Sequence, residues 1–401
     1  MTTELTILVL LVGLAILLSA LIKNALGHFD LPAIPGYILL GFGIRALDAH
    51  IDFLPEQADS TIEFLAQIGV VTLLFHIGTE SKLKKLLQQF GRAFLIGMVS
   101  IVASGALGFV GAFWILGQSL LTSLFVGSAM VATSVGVAVG VWEEAGAINT
   151  RNGQLLLDVA EFDDIVGVIL MALLFAAAPA LAGRQGHALL PTLLATGAAV
   201  AGKLVLFGAI CVAFAHYVEK TVTGFLRRFE KPPEETLTVI AMGLAIAAVA
   251  GLLGFSVAIG AFFAGLIFSR DPESLKSRTA FTVIYECFTP FFFIGIGLDM
   301  RVGSLGAALV PALLLTAVAF AGKFVGAMVP ALILQGRRPS VLLGLSMIPR
   351  AEVAMIISQR GLTLEGEAMR DHIYSALVFT CLASCLIPPV LLRRLIRRWA
   401  L

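Results

Sequence analysis

Apolar runs of bilayer length, separated by short charged or Gly/Pro-rich connections, recur along this whole chain and leave it one class of fold. Backbone crossing hydrocarbon must satisfy its own hydrogen bonds, so a run of about 20 apolar residues predicts a membrane-spanning helix. About thirteen such runs are found, at 4–23, 33–48, 61–80, 92–117, 119–142, 153–178, 190–216, 235–253, 255–269, 279–298, 304–335, 340–359 and 372–392. The predicted class is an all-α polytopic membrane protein. Only 13% of its 401 residues are charged, where a soluble domain carries about 25%. The net charge of +1, with no long run of like charge, argues against nucleic acid as a partner and leaves lipid. The first run lacks a basic leader and carries Glu4, so it is expected to be a span and not a cleaved signal. Cys211, Cys287, Cys381 and Cys385 lie in apolar stretches, the distribution of packed thiols and not of a disulfide framework or zinc site. No cofactor is expected.

Basic residues sort to one side of the predicted spans. With the N-terminus outside, nineteen Lys and Arg fall on inner segments and five on outer ones. This positive-inside bias predicts an outer N-terminus and a cytoplasmic C-terminus, in a cell membrane of prokaryotic inner-membrane type. A repeat accompanies it. PGYILLG at Pro35 pairs with IGAFFAG at Ile259, LLFHIGTE at Leu73 with FFIGIGLD at Phe292, and GSAMVATSVG at Gly127 with GLSMIPRAEV at Gly344, at offsets of 224, 219 and 217 residues. Each pair links spans seven apart, so the halves run in opposite directions through the membrane. Inverted repeats with interrupted helices in matching positions point to a secondary transporter with a midplane site.

The fifth and twelfth spans are the interrupted pair. VATSVGVAVG offers Thr133, Ser134 and Gly136, and SMIPRAEVAM places Pro349 in mid-span, where it removes a backbone donor. Arg350 and Glu352 flank that break, placed to neutralise the two half-helix dipoles. Thr133 and Ser134 are either ligands at the break or packing hydroxyls bonded to their own helix.

Charges inside a bilayer need partners or work to do. In AEFDDIVGVILMALLF, Asp163 and Asp164 must lie within the sixth span, because a helix starting after them would reach Pro179 in only about 14 residues. Lys323, in TAVAFAGKFVGAMVPA, is the best-placed cation, and Lys203, in AVAGKLVLFGA, is its rival. An Asp163–Lys323 pair leaves the trio at net minus one with Asp164 ionised. One proton or one monovalent cation at Asp164 then restores neutrality. A single site for which proton and metal ion compete is an exchanger's arrangement, and carboxylate, hydroxyl and carbonyl oxygens suit a hard alkali cation. Glu161 and Asp158 continue a line of acids along one side of this helix, either as a hydrated approach or with Asp158 at the interface. Glu286 and His76 are expected as packing or dimer contacts, although an imidazole titrates near neutral pH.

PGYILLG, LLFHIGTE, ATSVG, the FDD of the sixth span, LGFSVAIGAFFAGL, FTPFFFIGIGLDM, AGK and GLSMIPRAEVAMI, in this order, resemble the signatures of the monovalent cation:proton antiporter-2 family over nearly the whole chain. The resemblance implies sodium/proton exchange without enzymatic chemistry. It places the ion and proton on Asp164 and pairs Asp163 with Lys323. It also implies a homodimer in which residues 1–91 and 233–303 form the scaffold, 92–183 and 304–401 the moving core, and 184–232 a linking helix. Two features depart from the family pattern: Glu161 adds an acid one turn before Asp164 where apolar residues are usual, and LLFHIGTE stands where LLFxxGLE is more usual, putting the His76 imidazole near the domain interface. Kef-type potassium efflux relatives, the alternative, carry Gln where this chain has Asp163, together with a cytosolic nucleotide-binding domain, whereas this chain stops after RRLIRRWAL. A sodium-coupled organic-anion symporter is the more distant alternative; it would want a larger polar cavity than a buried carboxylate pair.

Overall fold

The computed structural model of the protein describes residues 2–29, 31–51, 53–80, 92–182, 198, 202–203, 205–211, 213, 234–252, 256–268, 278–364 and 369–399. Among them there is no strand, and fourteen α-helices have defined limits. They are α1 (Thr2–Gly27), α2 (Ile34–Ile51), α3 (Glu56–Glu80), α4 (Arg92–Val110, extended by a π turn at Gly111–Ile115), α5 (Leu120–Val131), α6 (Val135–Glu144) and α7 (Arg151–Ala182). The second half comprises α8 (Glu234–Leu252), α9 (Val257–Phe268), α10 (Arg278–Leu298), α11 (Leu305–Leu334), α12 (Arg337–Ser346), α13 (Glu352–Thr363) and α14 (Asp371–Trp399). Each helix overlays an expected span, except that α5 and α6 share the fifth and α12 and α13 share the twelfth. The seventh expected span, 190–216, lies largely outside the described residues.

Among the described residues, six helical stretches are long and apolar enough to cross a membrane, at Leu5–Gly27, Gln57–Thr79, Ala93–Ile115, Leu120–Glu144, Val302–Leu334 and Asp371–Trp399. Their outward faces carry large apolar side chains, such as Leu5, Val9 and Leu10 on α1 and Leu309, Val310 and Leu313 on α11, as a lipid-facing helix requires.

The two interruptions have different local origins. At the twelfth span the chain leaves the helix over 347–351, around Pro349, and Ala351 takes φ −148° and ψ −88°. At the fifth span no proline is present; Ala132 (φ −68°, ψ 141°) and Ser134 (φ −88°, ψ 99°) are extended between α5 and α6. Gly136, a candidate breaker in the sequence, is helical within α6.

The chain divides into two compact units. One holds Met1–Ile16, Leu54–Leu83 and Phe175–Gly295; the other holds Leu17–Phe53, Lys84–Leu174 and Ile296–Leu401. In the first, α3 and α9 meet backbone to backbone at glycines: a Cβ on Gly78 would strike the Phe262 carbonyl and Gly265, and one on Gly265 would strike the Phe75 carbonyl. In the second, Gly297 at the end of α10 meets Ile38, Gly41 and Phe42 of α2 in the same way. The repeated motifs thus trade partners. The Leu73 segment packs on the Ile259 segment, its counterpart at Phe292 packs on the Pro35 segment, and the third pair, at Gly127 and Gly344, meets itself. That is the contact pattern of a two-fold repeat.

Candidate ion-binding site

The site is built within the second unit, where α7 passes the two breaks. Phe162 anchors α7 on α4, its ring filling the space beside Gly97 and standing edge-on to Phe94 at 5.4 Å. Gly167 brings α7 into van der Waals contact with Ala132 and Val353. One helical step of about 100° then separates the two aspartates in orientation. Asp163 points inward and is fully buried, whereas Asp164 is only partly buried.

Lys323 of α11 is also fully buried, and its Nζ donates to both Asp163 oxygens, at 2.7 and 2.8 Å. Two glycines carry the lysine there. A Cβ on Gly322 would stand 2.9 Å from the Ser104 Cα, and one on Gly326 2.8 Å from the Ser100 Cα. Small residues spaced four apart let two helix backbones approach closely, and Lys323 rides on the helix so placed. Lys203, the rival cation, is exposed.

The broken helices cross through backbone bonds. Ser134 N donates to the Pro349 carbonyl at 2.7 Å, and Thr133 Oγ1 donates to the Met347 carbonyl at 3.2 Å. The Thr133 hydroxyl therefore ties the crossing together and does not fold back on its own helix. The buried Ser134 hydroxyl faces the Glu352 carboxyl. Arg350 is buried and its guanidinium is spread over carbonyls: Nε and Nη2 donate to Met130 O at 3.2 and 2.9 Å, Nη1 to Ile348 O at 3.0 Å, and Nη2 also to Ala319 O and Ser104 Oγ, both at 3.1 Å. Met130 and Ile348 lie at the C-terminal ends of α5 and α12, where the helix dipole is negative, so the cation satisfies orphan carbonyls and offsets both half-helix ends. Glu352 stands in the first turn of α13, at a positive end.

The electrostatic neighbours of Asp164 are Asp163, Glu352, Lys323 and Glu161. Glu161 and Asp158, like Asp164, lie on the partly exposed side of α7. His76 belongs to the other unit, its ring tilted against Tyr285 with ring centroids 4.4 Å apart, and Glu286 is exposed. Among the described residues no group of three or more His, Cys, Asp or Glu side chains forms a resident metal cage.

Several contributors escape a reading for charge. Ser104 bonds Met130 O and Arg350; Ser384 Oγ accepts from Arg350 N at 3.0 Å, and Cys385 Sγ donates to Arg350 O at 3.1 Å. The GKFVG glycines were the one signal in view, a small-xxx-small motif around Lys323.

Two crossing broken helices beside a buried carboxylate–ammonium pair and a second, more open carboxylate define a membrane transporter of the broken-helix class. The chain belongs to the transmembrane sodium/hydrogen exchanger family, whose model matches residues 9–398. It is 28% identical over 377 residues to a Na(+)/H(+) antiporter of Enterococcus hirae, covering 91% of this chain and 92% of that one. It is 27% identical over 363 residues to the high-affinity Na(+)/H(+) antiporter NhaS3 of Synechocystis, covering 87% and 76%. In fold it matches the sodium proton antiporter MjNhaP1 of Methanocaldococcus jannaschii, with a TM-score of 0.69 at 14% identity over 99% of this chain and 96% of that one.

Proposed function

We propose that the protein exchanges a monovalent cation, sodium foremost, for protons by alternating access, the two competing for Asp164. The observation that carries this reading is the division of labour between neighbouring aspartates. Asp163 is occupied by Lys323, while Asp164, partly open beside the crossing, is the carboxylate left to take a cargo. With the first pair neutral, either cargo neutralises Asp164, and the empty form carries a charge that a bilayer penalises. Oxygen donors at the crossing, the Ser134 hydroxyl among them, suit a hard alkali ion.

In this reading residues 92–183 and 304–401 move as the core against a dimeric, lipid-embedded scaffold of 1–91 and 233–303, linked by 184–232. The N-terminus lies outside and the C-terminus in the cytoplasm of a prokaryotic inner membrane. The relatives named as sodium/proton antiporters support sodium as the cation.

The test is proton movement in proteoliposomes holding a trapped pH dye, on addition of sodium, lithium or potassium. Wild type is expected to respond and Asp164→Asn to fall silent while remaining folded. A response retained in Asp164→Asn would sink the site assignment. A larger response to potassium than to sodium would favour the potassium/proton alternative.

A further inference from the structure

The end of α14 carries more positive charge than the fold consumes. RRLIRRW places Arg393, Arg394, Arg397 and Arg398 in its closing turns, and Arg337 and Arg338 open α12. Both stretches come to one end of the second unit, because Leu392, Leu395, Ile396 and Trp399 of α14 share an apolar cluster with Leu342 and Leu343 of α12 and Leu334 of α11. Arg393 and Arg397 are committed there, both to Glu144 at 2.9 Å. Arg337, Arg338, Arg394 and Arg398 are exposed and, among the described residues, have no hydrogen-bonding or ionic partner. Glu143, the other acid at the end of α6, offsets at most one of them.

A second feature shows what reaches these arginines. Ile387, Val390 and Leu391 are exposed and lead along one outward side of α14 to Arg394 and Arg398, whereas Leu392 and Ile396 face the interior. Steps of three and four residues keep side chains in line on a helix. The 29 residues of α14 span about 44 Å at 1.5 Å per residue, more than the roughly 30 Å of hydrocarbon, so its closing turns reach headgroup depth. An apolar stripe that ends at this depth in unpaired guanidinium groups fits a lipid with an anionic headgroup. Acyl chains cover the stripe, and phosphate oxygens accept from the arginines, often through paired N–H donors. A soluble anion would leave the stripe unused, and a zwitterionic lipid brings no net charge to the arginines. Trp399, beside them, is of the amphipathic type that settles at a membrane interface.

We propose that this side of α14, with the start of α12, is a docking surface for an anionic phospholipid, whose phosphate is held by Arg394 and Arg398 and whose chains lie along Ile387, Val390 and Leu391. Arg337 and Arg338 add attraction at the same end. On the orientation proposed above this is the cytoplasmic leaflet, and the surface does not depend on which cation, or any, is exchanged. Because α12 and α14 share the cluster beneath it, a lipid seated here clamps together two elements of the unit that holds the ion site.

Thermal unfolding of the purified protein in a neutral detergent, titrated with phosphatidylglycerol or with phosphatidylcholine, reads the lipid without requiring transport. Phosphatidylglycerol is expected to raise the midpoint more than phosphatidylcholine, and the difference should shrink in high salt. A basic residue near an anionic surface is worth about fivefold in affinity. Arg394→Gln/Arg398→Gln should therefore need about tenfold more phosphatidylglycerol, or beyond, for the same response. Arg394→Lys/Arg398→Lys, which keeps the charge, should retain most of it. Arg337→Gln/Arg338→Gln, on the other helix, should lose part of the response and carries the test if the first variant fails to fold. Equal stabilisation by the two lipids, an unchanged response in both Gln variants, or equal stabilisation by soluble glycerol phosphate would overturn the proposal. So would a dimer that dissociates in Arg394→Gln/Arg398→Gln while its lipid response persists, which would assign the face to a second copy of the chain. A phosphatidylglycerol response lost in the Gln variants, in a protein that moves no protons, would uphold the surface and sink exchange alone.

Discussion

At the scale of single residues, the buried pair makes the most exposed claim about stability. Removing Lys323 leaves Asp163 with no side-chain cation in a fully buried position, a situation that costs about 3–5 kcal/mol for a buried ion pair broken on one side. Lys323→Ala is therefore expected to lower the thermal unfolding midpoint in detergent sharply, and Asp163→Asn added to it should recover much of the loss. A midpoint for Lys323→Ala equal to wild type would mean that the pair is not formed. The aspartates and Lys323 were legible in the sequence because hydrocarbon makes every charge conspicuous. Choosing between Lys323 and Lys203 needed more than charge, since both follow Ala-Gly. What separates them is the residue four after that glycine: Gly326 in one case, Leu206 in the other. Only the first glycine pair lets a neighbouring backbone close in. The part played by Arg350 was half legible. Its place at the break suggested a counter-charge, but its reach to Met130, Ser104 and Ala319 depends on contacts between segments far apart in sequence.

At the scale of elements, helix positions followed from apolar runs and their boundaries, and the break at Pro349 from a missing backbone donor. The break at 132–134 had no such local cause; Val, Ala, Thr and Ser do not halt a helix. Bonds from elsewhere hold it open, with Arg350 taking the Met130 carbonyl and Pro349 accepting from Ser134 N. The α4–α11 contact is the element-scale feature on which the site most depends. Gly326→Val would drive a branched side chain into the Ser100 backbone. Overpacking of this kind costs about 1–3 kcal/mol even where neighbours yield, and here backbone must yield. The expected outcome is lower thermal stability together with weakened exchange, because Lys323 is carried away from Asp163 as the helices part. Gly13→Val on α1, where nothing lies within 4 Å of the added carbon, should leave both nearly unchanged. Equal behaviour of the two variants would show that the glycines of α11 do not set the approach.

At the scale of the whole molecule, the repeat offset was legible but its consequence was not: trading of partners joins segments some two hundred residues apart, and sequence order says nothing about which of them touch. The same scale carries the question of what moves. If the broken helices travel with the rest of their unit as one body, links inside that unit should be harmless. The far ends offer a place to test this, because Glu144 at the end of α6 bonds Arg393 and Arg397 of α14, each at 2.9 Å. Cysteines in place of Glu144 and Arg397, joined by a flexible cleavable bismaleimide, would tie a half-helix to α14. Cys211, Cys381 and Cys385 are buried, so only the partly exposed Cys287 needs replacement by Ser beforehand. Exchange is expected to survive the link at near its unlinked rate. Loss of exchange on linking, with recovery on cleavage, would mean that α6 moves against α14 during turnover. The two half-helix ends would then be working parts in their own right, and the Arg350 staple a hinge between them.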